Sequence, residues 1–245
     1  LSTQIDTMKC PSDGSINFFY QTSGNLTTDL SDTSTSKNAM RSYIYNRGDW
    51  LRTSGNNNFA RTGASLGIIR GPFGNGIWFK LSIVTDGTSN TLAFSEAAIT
   101  PRNNATTIRG GVVTIAVDDD LMNPSLCSSS KDGKYYKNPL PSGVVTGNAE
   151  VGFMFDGRSH AGFTTVLPPN SPSCFRSLAY GWGISTPTSY HSGGVNAVFL
   201  DGSATFISET IDAGTVSNIQ GADGPSVYGV WGALGSKNGG ESKGL

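Results

Sequence analysis

The sequence contains little charge. Lys, Arg, Asp and Glu make up 14% of its 245 residues, against roughly a quarter in an average soluble domain. The 17 basic and 18 acidic residues leave a net charge of −1, so no basic surface points to nucleic acid or to an anionic membrane. We therefore predict no nucleic-acid partner. A weakly charged surface does little to keep copies of a protein apart, so this composition favours self-association.

Long hydrophobic runs are also missing. No stretch approaches the ~20 apolar residues that a membrane helix needs, and we predict no membrane span in this chain. The sequence opens at Leu1 without the pattern of a signal peptide. We see neither an internal repeat nor a linker. The prediction is one β-rich domain over residues 1–245, with residues 1–36 as an extended N-terminal segment and residues 221–245 as a Gly-rich C-terminal tail.

Histidine is scarce, which restricts the possible catalytic sites. The chain has only His160 and His191, and it lacks the Gly-x-Ser-x-Gly motif of many hydrolases. Nine residues separate His191 from Asp201, roughly 30 Å in an extended chain, so we do not interpret this pair as a catalytic dyad. We predict that the protein is not an enzyme and has no catalytic residue.

Short-spaced metal and phosphate motifs are absent as well. Structural zinc sites use about four nitrogen or sulfur ligands at short spacings, and there is no Cys-x-x-Cys or His-x-x-x-His. Residues 71–76 are Gly-rich but lack the Lys-Ser/Thr of a phosphate-binding loop. Asp118–Asp120 suggest calcium, but successive side chains of an extended segment point to opposite faces, so we favour a solvated loop. We predict no cofactor and no metal ligand.

Cysteine occurs three times, as Cys10, Cys127 and Cys174. This number fits an exported protein with one disulfide and one remaining thiol; three buried thiols in a cytosolic protein is the less favoured alternative. Cys127 and Cys174 each lie in a Pro/Ser-rich loop, where the backbone geometry is adjustable. We predict that they form the disulfide, and that Cys10 is free or joined to something outside this chain.

Glycine and β-branched residues, by contrast, are plentiful. The chain has 32 glycines, and Asp-Gly occurs six times, mostly beside strand-like runs. The clearest pattern predicts a hairpin of Val195–Leu200 with Ala204–Ile207, turned by Asp201-Gly202. Apolar residues occupy both the odd and the even positions of the first strand, and these positions face opposite sides of a sheet. This pattern predicts a central strand covered on both faces. We therefore predict a mainly β (α+β) fold built on antiparallel sheet.

The rest of the chain gives weaker patterns of the same kind. We predict strands within the following ranges: 16–20, 67–70, 77–84, 91–95, 110–117, 144–155 and 163–167. Residues 37–46 are predicted to contain a helical turn. Thr85–Asn90 is dense in side chains that bond local backbone. Glu96 follows among apolar residues; a functional acid is possible, but we favour a carboxylate that accepts backbone hydrogen bonds from a nearby turn.

Several blocks of residues together resemble one bacterial family. His191, nine residues and then Asp201-Gly202 resemble the H-X9-DG signature of the DUF1559 family, which comprises type II secretion pseudopilin-like, prepilin-type proteins of planctomycetes and their relatives. Further matching blocks are Cys10–Asp13, Thr85–Thr91 with Glu96, Phe163–Cys174, Trp231–Gly235 and Gly239–Glu241. The signature residues carried over are His191, Gly193, Gly194, Asp201, Gly202, Asp86, Gly87, Asn90 and Glu96.

The resemblance implies a pseudopilin-like globular domain that follows an N-terminal hydrophobic helix. That helix is expected to be absent from this chain, and the partner of Cys10 is expected in the missing segment. The implied function is that of an exported, non-enzymatic subunit, which assembles with itself into an extracellular filament or surface layer. The implied partners are further copies and export machinery of the type II secretion or pilus kind, and the implied location is extracellular or cell-surface.

An alternative function is a cell-surface binding module for glycan or protein, without polymerisation. The residues that would serve it are four exposed aromatic candidates: Trp50, Trp78, Trp182 and Tyr190. Aromatic residues beside a core hairpin belong to the core more often than to a stacking platform. A secreted hydrolase is the third possibility, and the motif search disfavours it.

Overall fold

The structure is a computed structural model, and it describes residues 3–14, 18–22, 25–27, 36–50, 69–74, 79–99, 106–115, 124–146, 161–176 and 183–241. The strands are β1 Phe18–Thr22, β2 Asn25–Thr27, β3 Ser36–Ala39, β4 Tyr43–Asn46, β5 Leu92–Glu96, β6 Val113–Ile115, β7 Lys131–Asp132, β8 Tyr135–Tyr136, β9 Val144–Thr146, β10 Gly162–Phe163, β11 Cys174–Arg176, β12 Gly183–Ile184, β13 Gly194–Phe199 and β14 Ala204–Ser208. The α-helices are α1 Pro124–Ser129 and α2 Gly229–Gly235, and two 3-10 turns span Asp6–Met8 and Leu81–Ile83.

The predicted hairpin forms two strands of a five-stranded sheet with the order β10-β4-β5-β13-β14. β13 pairs antiparallel with β14 on one side and with β5 on the other, so it is an interior strand as predicted. Asp201-Gly202 makes the turn, and Gly202 has φ of +87°, a conformation that glycine adopts without steric cost. Only one face of β13 is covered, however, because Asn196 is exposed on the other.

The remaining strands form a four-stranded sheet, β12-β11-β6-β9, and two small sheets, β2-β1-β3 and β7-β8. Most pairs are antiparallel, but β10 runs parallel to β4 and β11 runs parallel to β6. The fold is therefore mainly β, as predicted, with mixed as well as antiparallel sheets. Neither α-helix has the length or hydropathy to span a membrane, and the described residues hold no other candidate.

The region predicted as a Gly-rich C-terminal tail contains the helix α2. In α2, Trp231 and Leu234 are almost completely buried against the inner face of the five-stranded sheet. The Trp231 ring stacks on Phe163 with centroids 6.2 Å apart, and its Nε1 donates to the carbonyl of Leu167 over 2.8 Å. Residues 229–235 are therefore part of the core. The sequence concealed this because the apolar residues are interspersed with glycine, which disfavours helix.

Three local predictions were wrong. Residues 37–46 form parts of β3 and β4 rather than a helical turn, and burial alternates along Tyr43–Asn46 with the period of a strand. Residues 163–167 are a strand only at Phe163, since the next amides bond to separate segments: Thr164 donates to Ser185 and Thr165 donates to Gly48. Within 77–84, Leu81–Ile83 is a 3-10 turn.

Other predictions fall partly or wholly outside the described residues. β1, β5, β6 and β9 lie in regions predicted as strands. The parts of the predictions that lie outside the described chain are residues 16–17, 67–68, 77–78, 116–117, 147–155, Asp118–Asp120 and His160. The described part of the range 67–70, Ile69 and Arg70, is not a strand.

The predicted disulfide is confirmed. Cys127 and Cys174 are bridged, with their Cα atoms 5.9 Å apart. The predicted loop positions were wrong, because Cys127 lies in α1 and Cys174 begins β11. Both residues are fully buried in the core beside the four-stranded sheet. The bridge therefore ties α1 to the middle of that sheet. Cys10 is free and buried.

Candidate functional site

Three side chains from distant parts of the chain meet at one end of β5 and β13. Ligand-type atoms of Cys10, Glu96 and His191 all lie within 4.8 Å of one another. Cys10 Sγ is 3.3 Å from Glu96 Oε1 and 3.7 Å from His191 Nε2. The His191 Nε2–Glu96 Oε1 distance is 3.1 Å. We call these residues the Cys-Glu-His cluster.

Glu96 is the last residue of β5 and is held by the neighbouring strand. The backbone N–H of Asn196 donates to Glu96 Oε2 over 2.7 Å, and the side-chain Nδ2 of Asn196 donates to Glu96 Oε1 over 3.3 Å. Glu96 thus accepts a hydrogen bond from the backbone, but the prediction that the donor lies in a nearby turn was wrong, because the donor belongs to strand β13. Glu96 is only 3% exposed, so these bonds fix a buried carboxylate in one orientation.

Cys10 is held by the loop that follows the first 3-10 turn. Its neighbour Asp13 is buried, and the Asp13 Oδ2 accepts hydrogen bonds from Ser42 Oγ and from the Ile99 amide, at 3.2 and 2.8 Å. The Ser42 amide in turn donates to the carbonyl of Met8 over 2.8 Å. These bonds attach the loop to the main sheet on both sides of Cys10.

His191 lies in the turn before β13. Its amide donates to Ser189 Oγ, which donates to the carbonyl of Gly194 over 2.7 Å. Gly193, with φ of +81°, completes this turn, and Gly194 is the first residue of β13. The His191 side chain is 33% exposed, and Ser12 Oγ lies 3.3 Å from its Nε2. The cluster is therefore buried on the Cys10 and Glu96 side and open to solvent at His191.

A small cleft adjoins the cluster and is lined by the following residues, among others: Cys10, Asp13, Ser42, Glu96, Thr188 and Tyr190. Burial raises the pKa of Tyr43, and the nearby Cys10 and Glu96 raise it further.

The other signature residues lie at the opposite end of the same strands. The Asp86 carboxylate accepts the amides of Gly239 and Gly240, at 2.7 and 3.0 Å. The side-chain Nδ2 of Asn90 donates to the carbonyl of Asp86, and the backbone N–H of Asn90 donates to the carbonyl of Gly87. This block therefore anchors the segment that follows α2.

Asp201 and Gly202 form the turn at that end. The Asp201 carboxylate accepts the Ser203 hydroxyl and amide, at 2.6 and 2.9 Å, and these bonds, the hydroxyl first, lower its pKa. His191 precedes β13 and Asp201 follows it, so the H-X9-DG signature describes the two ends of one strand.

The aromatic candidates for ligand stacking do not form a platform among the described residues. Tyr190 is 42% exposed, and the Arg109 guanidinium lies over its ring at 5.5 Å. Trp50 is half-buried. Trp78 and Trp182 lie outside the described residues.

Sequence reasoning identified Glu96 and His191 as signature residues but did not connect them with Cys10. Cys10 and Glu96 are 86 positions apart, and Glu96 and His191 are 95 apart. Rules based on short spacing therefore could not find the cluster. The one available signal was that each residue lies in a block that carried the family resemblance.

Comparison with known proteins gives one result. A family model described as "Protein of unknown function (DUF1559)" matches residues 1–214. No curated protein matches the chain significantly, and no solved structure does. Because the match covers most of the sequence, this chain belongs to the DUF1559 family.

Proposed function

We propose that the protein is an exported, non-enzymatic, pseudopilin-like subunit that assembles with itself into an extracellular filament or surface layer. The observation that carries the proposal is the edge of the five-stranded sheet formed by β14. Within the described chain, no strand pairs with the outer side of β14. An open edge of this kind is a template for strand addition by another copy.

The hydrogen-bond pattern of the hairpin defines which groups are available. Phe199 donates to Ser203 O, and Glu209 donates to Gly193 O. With the β13–β14 register, the alternation of an antiparallel pair directs the backbone groups of Ala204, Phe206 and Ser208 away from β13. These groups form the outer edge that would bind a neighbouring strand, except for the Ser208 carbonyl, which already accepts the Ile211 amide over 3.2 Å.

The side chains around this edge support the same proposal. Phe206 is 48% exposed on β14, and Phe94 is 43% exposed on β5. Phe94 is 5.4 Å from the ring of Phe73, so the outer face of the sheet carries an apolar surface. Little charge opposes contact between copies, because the net charge is −1.

A filament requires two different surfaces, because β14 pairing with β14 about a two-fold axis gives a closed dimer. The second surface in our proposal is β9, which is the terminal strand of the four-stranded sheet among the residues that the structure describes. Its Val145 is 50% exposed. A β14-to-β9 contact is head-to-tail, and it gives an open chain of subunits when the rotation from one copy to the next does not close a ring.

The Cys127–Cys174 bridge supports the proposed location outside the cytoplasm, since disulfides persist in oxidising compartments. Export machinery of the type II secretion or pilus kind is the proposed route.

The test uses light scattering and negative-stain imaging over a range of protein concentrations. Phe206→Lys and Val145→Lys should each prevent polymers. Phe206 is half-exposed, so its burial contributes about half of the ~1.5–3 kcal/mol of a full Phe burial. With the added cost of a buried Lys, we expect the dissociation constant to rise by at least ~10-fold.

Mixing the two variants separates a two-surface contact from a general loss of solubility or folding. Each variant keeps one intact surface, so the mixture should form heterodimers and no polymers. Ile219→Lys is the matched control, since Ile219 is 51% exposed and lies outside the strands; it should polymerise like wild type. A wild-type protein that stays monomeric at high concentration contradicts the proposal, as do polymers in the Phe206→Lys variant.

A further inference from the structure

We propose that Cys10, Glu96 and His191 are the protein ligands of a zinc ion. A thiolate, an imidazole and a carboxylate are all established zinc ligands, and three of them with one open position is a known zinc arrangement. The sulfur and nitrogen donors disfavour calcium and magnesium, which prefer oxygen. This site is independent of the proposed assembly.

The distances between the three donor atoms match a tetrahedral zinc ion. Bonds of about 2.3 Å to sulfur and about 2.0–2.1 Å to nitrogen and oxygen place S and N about 3.6 Å apart, S and O about 3.5 Å, and N and O about 3.3 Å. The observed distances are 3.7, 3.3 and 3.1 Å. An ion at the centre therefore requires shifts of only a few tenths of an ångström.

The charge and burial of the three side chains also favour a zinc ion. Cys10 and Glu96 are 7% and 3% exposed, and burying negative groups is costly unless a positive charge compensates them. When zinc binds, the Cys10 thiol releases its proton to solvent and the resulting thiolate bonds the metal. Thiolate, carboxylate and neutral imidazole then balance the charge of Zn²⁺.

The surrounding hydrogen bonds hold the ligands in place without the ion. Asn196 fixes the Glu96 carboxylate through its amide N–H, and Asp13 fixes the loop of Cys10. Such outer partners orient metal ligands and raise affinity. Because the three ligands come from separate segments, the ion would also cross-link the N-terminal loop, β5 and the turn before β13.

The fourth position faces solvent on the His191 side. Ser12 Oγ lies 3.4 Å from Cys10 Sγ and 3.3 Å from His191 Nε2. In our proposal a water occupies this position, held by the Ser12 hydroxyl. The zinc would therefore be accessible to small ligands and to chelators.

The experiment uses the full chain with the Cys127–Cys174 bridge intact, so that Cys10 is the single thiol. After treatment with a chelator, zinc binding is measured by competition with a chromophoric chelator, and cobalt(II) serves as a spectroscopic probe. We expect one zinc per chain. Cobalt should give a thiolate-to-metal charge-transfer band together with the intense visible bands of a four-coordinate ion.

Cys10→Ser should abolish the charge-transfer band. Cys10→Ser, Glu96→Gln and His191→Ala should each weaken zinc binding by more than ~100-fold, since losing an outer partner alone costs about 10–100-fold. His160→Ala is the matched control, because His160 is the other histidine of the chain, and it should bind like wild type.

Wild-type protein that gives no charge-transfer band with cobalt overturns the proposal and leaves a hydrogen-bonded cluster without a metal. A band that survives in Cys10→Ser also overturns it. The wild-type measurement requires no substitution, so a variant that fails to fold does not affect this outcome.

Discussion

Removing the Cys127–Cys174 bridge should lower the free energy of unfolding by about 4 kcal/mol. The bridge closes a loop with a sequence separation of 47. The chain-entropy relation, −2.1 − 1.5R ln n cal/mol/K, gives about 4 kcal/mol at 25 °C for a loop of this length. The perturbation is the double variant Cys127→Ala/Cys174→Ala, which removes the bridge without leaving a new thiol.

Urea unfolding measures the effect. With a slope of about 2–3 kcal/mol/M for a domain of this size, the midpoint should fall by roughly 1.3–2 M. The lost sulfur atoms also reduce packing, since both cysteines are fully buried. Adding a reductant to the wild type separates the two effects, because it breaks the bridge and retains the sulfur. A wild-type midpoint that moves by less than ~0.3 M on reduction would refute the reasoning.

Two further predictions concern the C-terminal region. Trp231→Ala should destabilise the fold by about 3–5 kcal/mol, because the ring is fully buried; a loss below ~1 kcal/mol in urea unfolding would show that α2 is not part of the core. Burial, and then the charge of Arg70, lower the pKa of Lys237 from 10.5 to about 8. Between about pH 8 and 10 the Lys237 amine is therefore protonated in the unfolded chain and neutral in the folded chain. The free energy of unfolding should rise with pH over this range, because the unfolded chain binds more protons. Lys237→Met should remove this rise, as measured by urea unfolding at several pH values. A Lys237→Met variant that keeps the rise would contradict the prediction.

The parts of the fold that were predictable are those set by local patterns. The hairpin of β13 and β14 followed from two β-branched runs around Asp201-Gly202, because turn chemistry and strand propensity agreed. The disulfide pairing was predicted correctly, although the loop positions assumed for both cysteines were wrong. The mixed sheets were not predictable, because parallel pairs such as β11 with β6 join segments far apart in sequence.

The helix α2 was missed for a different reason. Its glycines lower helix propensity, but the packing requires at least one of them: a Cβ at Gly235 would lie 1.8 Å from Thr165 Oγ1. Tertiary contact therefore decided this segment.

The Cys-Glu-His cluster was also beyond local reasoning. Glu96 and His191 were identified as signature residues by resemblance, and the buried bonds of Asp13 that position Cys10 have no sequence signature. What brings the three together is the pairing of β5 with β13 and the attachment of the N-terminal loop to the sheet.

Backbone hydrogen exchange at β14 tests the proposed assembly most directly. The amides of Phe206 and Ser208 are directed away from β13 by the hairpin's hydrogen-bond pattern. In dilute protein they should exchange rapidly, and in assembled protein they should become strongly protected, whereas the already bonded amide of Ile207 should change little. Rapid exchange of Phe206 and Ser208 in assembled protein, with protection appearing on another surface, would contradict strand addition at β14.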